Sequence, residues 1–227
     1  MSGFIHILGF IVFPYIALTI FVLGHAWRYV TDWKRWNAAS SQFLHKDSLK
    51  GGITIFHWGA LLTLVGHAGG MLIPQRIYDM FGVNAAAHNF IAHWAGLVAG
   101  LLMVPGVIWL LLRRTRQERI AANTSVHDYV LLVLLLVVSG LGLYNVIFTH
   151  YDVLYSVAPW IRSIVILAPD PSLIAPVPVS YKLHILTALV LLGYSPFTRL
   201  VHIWSAPVTY LYRSYVIFRK SPGPKGV

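Results

Sequence analysis

The chain has 227 residues, 57% of them hydrophobic and only 11% charged, with a mean hydropathy of +0.69. Soluble domains carry about a quarter charged residues, so this composition predicts an integral membrane protein. Cysteine is absent, which excludes disulfides, thiolate-held iron–sulfur clusters and thioether-attached haem within this chain. The net charge of +10 does not point to nucleic acid, because the basic residues fall mostly in three clusters, 28–50, 113–119 and 213–225, between apolar stretches. The positive-inside rule produces that distribution, with attraction to anionic lipid headgroups as a secondary consequence.

A bilayer takes roughly 20 apolar residues per helix. Residues 4–26 contain no Lys, Arg, Asp or Glu and make the first span. Its start lacks the basic region and small-residue cleavage site of a removable signal peptide. Pro14 predicts a kink, and His6 and His25 near the two ends read as interfacial polar residues. The basic segment 28–50 is assigned to the inner side. The second span, about 53–72, reads IFHWGALLTLVGHAGGM over 55–71 and stops before Pro74. An outer loop with a single basic residue, Arg76, leads to the third span, about 89–112, and then to an inner loop with four arginines. The fourth span is about 129–149. The long loop 150–181 holds five prolines, and its apolar run 163–168 is too short to cross, so an ordered lid or short interfacial helix is expected. The fifth span, about 182–205, should bend at Pro196, and 206–227 form a basic cytoplasmic tail. All of 1–227 reads as one membrane domain.

Thirteen Lys and Arg lie on the proposed inner segments, against Arg76, Arg162 and Lys182 on the outer side. The expected fold is therefore an all-α bundle of five transmembrane helices, N-terminus outside and C-terminus inside.

Ionisable side chains inside a membrane are costly and usually functional. His57 and His67 stand ten residues apart on the second span, and His184 and His202 eighteen apart on the fifth. On straight helices those spacings rise about 15 and 27 Å. The antiparallel course of the two helices pairs His57 with His202 toward the inner face and His67 with His184 toward the outer, roughly 20 Å apart. Two bis-imidazole haems fit that arrangement, and the imidazoles are then the axial ligands of the iron. A proton relay, a transition-metal site or a histidine-based transporter without haem stay open at this point. Gly59, Gly66, Gly69 and Gly70 flank the second-span ligands and leave room for a flat macrocycle or for close helix approach. Arg199, three residues before His202, is a candidate partner for a haem propionate.

The stretches FHWGALLTLVGHAGGML (56–72), KLHILTALVLLGYSPFTRLVHIWSAPVTYL (182–211) and RWNAASSQFL (35–44) resemble the membrane cytochrome b, or gamma, subunit of respiratory nitrate reductases. The likeness covers all five spans, with divergent outer loops. It implies a multi-pass subunit in the cytoplasmic membrane of a prokaryote. Such a subunit oxidises quinol near the outer face and passes electrons through two b haems to cytoplasmic iron–sulfur (beta) and molybdenum (alpha) subunits that reduce nitrate. Carried over, His67 and His184 would hold the outer haem and His57 and His202 the inner one. Family members can carry a lysine implicated in quinol binding near the start of the third span. The equivalent here is Ala87, followed by His88, which becomes the candidate quinol residue, with His93 about one turn deeper. The runner-up function is a dihaem subunit of a sulfur- or heterodisulfide-type reductase.

Overall fold

A computed structural model describes residues 3–32, 36, 47–149 and 151–205. The basic tail and most of the segment 33–46 lie outside the described residues. Among the described residues every regular element is helical. Helix α1 spans Gly3–Asp32 and contains a π-helical turn, Leu8–Val12. Helix α2 spans Asp47–His67 and is prolonged by the π turn Ala68–Leu72. The short α3 (Gln75–Met80) leads to α4 (Ala85–Arg116), and α5 (Glu118–Ala121) leads to α6 (Val126–Tyr144), which the π turn Asn145–Thr149 extends. Helices α7 (Val157–Val165) and α8 (Val179–Tyr194) follow.

Helices α1, α2, α4 and α6 are long and apolar enough to cross a membrane, and α8 makes a fifth when joined to the helical segment after it. Bulky apolar side chains such as Val22, Leu23, Val65 and Phe90 point outward, as suits a lipid-facing surface whose backbone groups are satisfied within each helix. The chain is a multi-pass membrane protein, all-helical among its described residues.

The fifth span is not the continuous helix expected over 182–205. The segments 179–197 and 199–205 meet at 82°. Pro196 has no amide hydrogen to continue the helical ladder, and Thr198 is fully extended at φ −121° and ψ −177°. Local side chains take up the freed groups: Ser195 Oγ donates to the Leu192 carbonyl at 2.7 Å, and Thr198 Oγ1 accepts from Leu200 N at 3.1 Å. Helix α1 clamps the bend, with Arg28 Nη1 donating to the Pro196 carbonyl at 2.8 Å.

Pro14 acts in a related way. It cannot donate to the carbonyl of Phe10, four residues earlier, and the π turn 8–12 lies immediately before it. Trp160 on α7 supplies the absent donor, its Nε1 reaching the Phe10 carbonyl at 3.1 Å. Val157, Trp160 and Ile164 of α7 bury themselves against Phe10, Ile174 and Val177, and Arg162 Nη1 donates to the Met71 carbonyl at 2.8 Å. The segment 151–181 is thus an ordered lid across one end of the bundle.

Helices α2 and α4 touch backbone to backbone. A carbon added to Gly59 would lie 2.6 Å from Met103 N, and one added to Gly106 would lie 2.7 Å from Phe56 Cα. Small residues permit such approach in membranes. Around the crossing, Phe56, Met103 and Val107 pack with Leu131, Leu132 and Leu135 of α6. The helices neighbour one another in the order α2, α4, α6, α8, α1.

Candidate functional site

The helix order leaves α2 and α8 facing each other without close backbone packing, and the four intramembrane histidines bridge that space. The rings of His57 and His202 have their centres 6.0 Å apart, and those of His67 and His184 6.1 Å apart. The pairing expected from antiparallel spacing is the pairing observed. It survives the 82° bend because His202 lies just beyond the break and is carried back toward α2.

Each ring is fixed in one tautomer. His57 Nδ1 lies 2.7 Å from the Ile53 carbonyl and His67 Nδ1 lies 2.8 Å from the Thr63 carbonyl, both one helical turn back. His184 Nδ1 meets the Val138 carbonyl of α6 at 2.9 Å, and His202 Nδ1 meets the Arg199 carbonyl at 2.6 Å. A carbonyl only accepts, so in all four rings Nδ1 carries the hydrogen and a neutral imidazole offers Nε2 as a lone pair. The two imidazoles of a pair therefore have no N–H to share with one another. A direct imidazole–imidazole hydrogen bond would also draw the ring centres to about 5 Å. Two metal–nitrogen bonds of about 2.0 Å, with ~1.1 Å from each nitrogen to its ring centre, require about 6 Å. The pairs have the spacing and tautomers with which two rings would hold one metal ion between them, with a carbonyl behind every ring as the orienting partner.

Among the described residues no three His, Cys, Asp or Glu side chains converge as a metal site. A haem iron takes four nitrogens from its own macrocycle and needs two from the protein. The residues present fit haem.

The surrounding glycines have separate roles. Gly59 serves helix packing, whereas Gly66, next to His67, faces open space with nothing within 4 Å. Gly69 lies under the Tyr78 hydroxyl and Gly70 beside His88 Nε2. One glycine outside the motif stretches matters more. A carbon on Gly142 of α6 would come within 3.1 Å of His184 Cε1, so Gly142 and the Val138 carbonyl together form the notch that seats His184. No histidine spacing on α2 or α8 could have revealed a seat on α6.

His88 is 7% exposed at the start of α4. Its Nδ1 lies 2.9 Å from Gln75 Oε1, and its ring stacks on Tyr78 with centres 4.7 Å apart. Gln75 Nε2 is occupied by Asp79 Oδ1 at 2.8 Å and the Val83 carbonyl at 2.9 Å. That orients the amide oxygen toward His88, so His88 too carries hydrogen on Nδ1 and keeps an Nε2 lone pair. His93 is half-buried farther along α4.

Arg199 has a protein partner: its Nε and Nη2 both donate to the Asp128 carboxylate. Asp128 closes a capping box with Ser125 at the start of α6, and Arg114 Nη1 approaches it at 3.6 Å. The carbonyl of Arg199 holds His202 while its guanidinium is held by α6, so the bend, α6 and the ligand are tied through one residue.

Comparison with known proteins supplies the family. The model of the nitrate reductase gamma subunit family matches residues 6–221. The chain is 42% identical over 213 residues to the nitrate reductase gamma chain of Bacillus subtilis, covering 92% of this chain and 96% of that one. It belongs to the nitrate reductase gamma subunit family. The respiratory nitrate reductase 1 gamma chain of Escherichia coli is 34% identical over 221 residues, covering 95% and 98%. A nitrate reductase-like protein of Mycobacterium tuberculosis is 36% identical over 92% of this chain but only 33% of its own length. As a gamma subunit the chain is the membrane component of a nitrate reductase, a multi-subunit oxidoreductase complex.

Proposed function

We propose that this gamma subunit is a dihaem cytochrome b that oxidises quinol near the outer face of the cytoplasmic membrane of a prokaryote. Electrons then pass inward to iron–sulfur (beta) and molybdenum (alpha) subunits that reduce nitrate. The observation that carries the reading is the pair of facing imidazoles at 6.0 and 6.1 Å, every Nδ1 committed to a carbonyl. Haem bound there would supply one-electron carriers at two depths. His57 and His202 would hold the inner group, and His67 and His184 the outer. Gly66 leaves space beside the outer one, and Arg199, its guanidinium held by Asp128, positions His202 through its carbonyl.

The excess of Lys and Arg at the His57 and His202 end supports an N-terminus outside and a C-terminus inside. The lid α7 then covers the outer end. At that end His88 offers an Nε2 lone pair set by Gln75, suited to accept a quinol proton and return it to water. Moving electrons inward while protons leave outside works against the membrane potential, at about 2.3 kcal/mol per charge per 100 mV. The redox drop to nitrate must exceed that. The basic segments on the inner side are the proposed contacts for the partner subunits.

The test is an optical spectrum of the purified complex, taken oxidised and after adding quinol, with its subunits identified. The expected result is b-type bands reduced by quinol, with iron–sulfur and molybdenum subunits in the same particle. Purified protein without reducible b-type bands would sink the proposal.

A further inference from the structure

Asn145 is 3% exposed, yet neither its Oδ1 nor its Nδ2 has a hydrogen-bond partner among the described residues. A buried primary amide with both ends unpaired is costly, and more so where no bulk water competes. It also opens the π turn Asn145–Thr149, and π turns inside helices occur frequently at functional sites.

Its position follows from contacts already described. Val138 and Gly142 both meet His184, and Asn145, three residues beyond Gly142, returns to nearly the same helical face. Depth can be counted along the neighbouring helices. Gly59 abuts Met103, and Gly96 abuts Val146, a carbon on Gly96 lying 3.3 Å from Val146 Cγ2. His67 is eight residues beyond Gly59 and Gly96 seven before Met103, rises of about 12 and 10.5 Å in the same direction. Val146, and with it Asn145, therefore lies at about the depth of His67. The orphaned amide lies within about one helical turn of the outer imidazole pair, on the face of the helix that seats one of the two ligands.

We infer that Asn145 is a hydrogen-bonding residue of the outer site, its amide binding an oxygen function of the ligand seated there. Nδ2 donates to a ligand oxygen, and Oδ1 accepts where the ligand carries an O–H. Two sources share that chemistry: a carboxyl side arm of the haem, and a hydroxyl of the quinol that reduces it. Asn145 does not titrate, so it orients the ligand and takes no proton from it. The inference rests on the quinol-oxidising dihaem reading above.

The test uses the intact complex with Asn145→Leu, an apolar replacement of similar size, and Asn145→Ala in case the first does not assemble. Two quantities are read in wild type and variant. One is the midpoint potential of the outer haem; the other is the dissociation constant of tetramethyl-benzoquinol, taken from the concentration dependence of haem reduction in a single turnover. Loss of one hydrogen bond changes an equilibrium by up to about tenfold. If the amide binds the carboxyl arm, the outer potential moves by up to about 59 mV for one electron and quinol affinity holds. If it binds quinol, the dissociation constant rises about tenfold and the potential holds. A variant with both quantities unchanged overturns the inference. Wild-type complex without b-type bands, or with bands that quinol leaves oxidised, would instead reject the parent reading.

Discussion

Gly142→Ala is the substitution through which the His184 seat can be examined most sharply. The added methyl carbon would stand 3.1 Å from His184 Cε1 and 3.5 Å from Nδ1. Carbon atoms settle at about 3.5–4.0 Å, so the imidazole must withdraw from α6 by roughly 0.5 Å. Withdrawal stretches the 2.9 Å bond to the Val138 carbonyl beyond the ~3.2 Å limit of an N–H···O bond. The bond itself is worth about 0.5–1.5 kcal/mol, and orienting partners of metal ligands change affinity about 10- to 100-fold. Gly142→Ala should therefore weaken outer haem retention by about tenfold and leave the inner haem intact. Pyridine haemochrome stoichiometry and a redox titration of washed membranes give both numbers. Gly140→Ala is the control, because nothing lies within 4 Å of a carbon at 140. A Gly142→Ala protein with two haems and both potentials unchanged would refute the seat.

Other substitutions test separate parts. Gly59→Leu and Gly106→Leu force bulk against neighbouring backbone at 2.6 and 2.7 Å, and each should destabilise the fold by about 3 kcal/mol or more, read as loss of full-length protein from membranes. His88→Ala should slow quinol oxidation by about 100-fold while both haems remain; unchanged turnover at limiting and saturating quinol would remove His88 from the site. Gln75→Leu frees the His88 tautomer and should slow turnover less than His88→Ala, whereas an effect larger than that of His88→Ala would show that Gln75 acts on its own. Trp160→Phe leaves the Phe10 carbonyl without its donor and should cost about 1–3 kcal/mol, measured as a lower unfolding temperature; an unchanged midpoint would mean another group satisfies that carbonyl.

The spans and the histidine pairing were legible because both rest on one-dimensional quantities, runs of apolar residues and residue counts along helices. Helix ends were less so. Asn84 and Ser125 accept from backbone N–H groups three residues on and start α4 and α6 earlier than the apolar runs do. The bend at Pro196 was expected, but not its size, which depends on Thr198 becoming extended and on Arg28 reaching across from α1. Gly142, Gln75 and Asn145 were invisible for a common reason. Gly142 and Gln75 act across helices on a histidine of another element, Asn145 has no protein partner to be counted from, and none belongs to a spacing pattern. Arg199 shows a related limit: its place beside His202 could be counted, but its Asp128 partner, 71 residues away, could not.

The most direct test is a redox titration of the four single variants His57→Ala, His202→Ala, His67→Ala and His184→Ala, each scored for which haem is lost. His57→Ala and His202→Ala should remove one and the same component, and His67→Ala and His184→Ala the other. Loss of a common component in His57→Ala and His184→Ala, or retention of both haems in any of the four, would contradict this assignment.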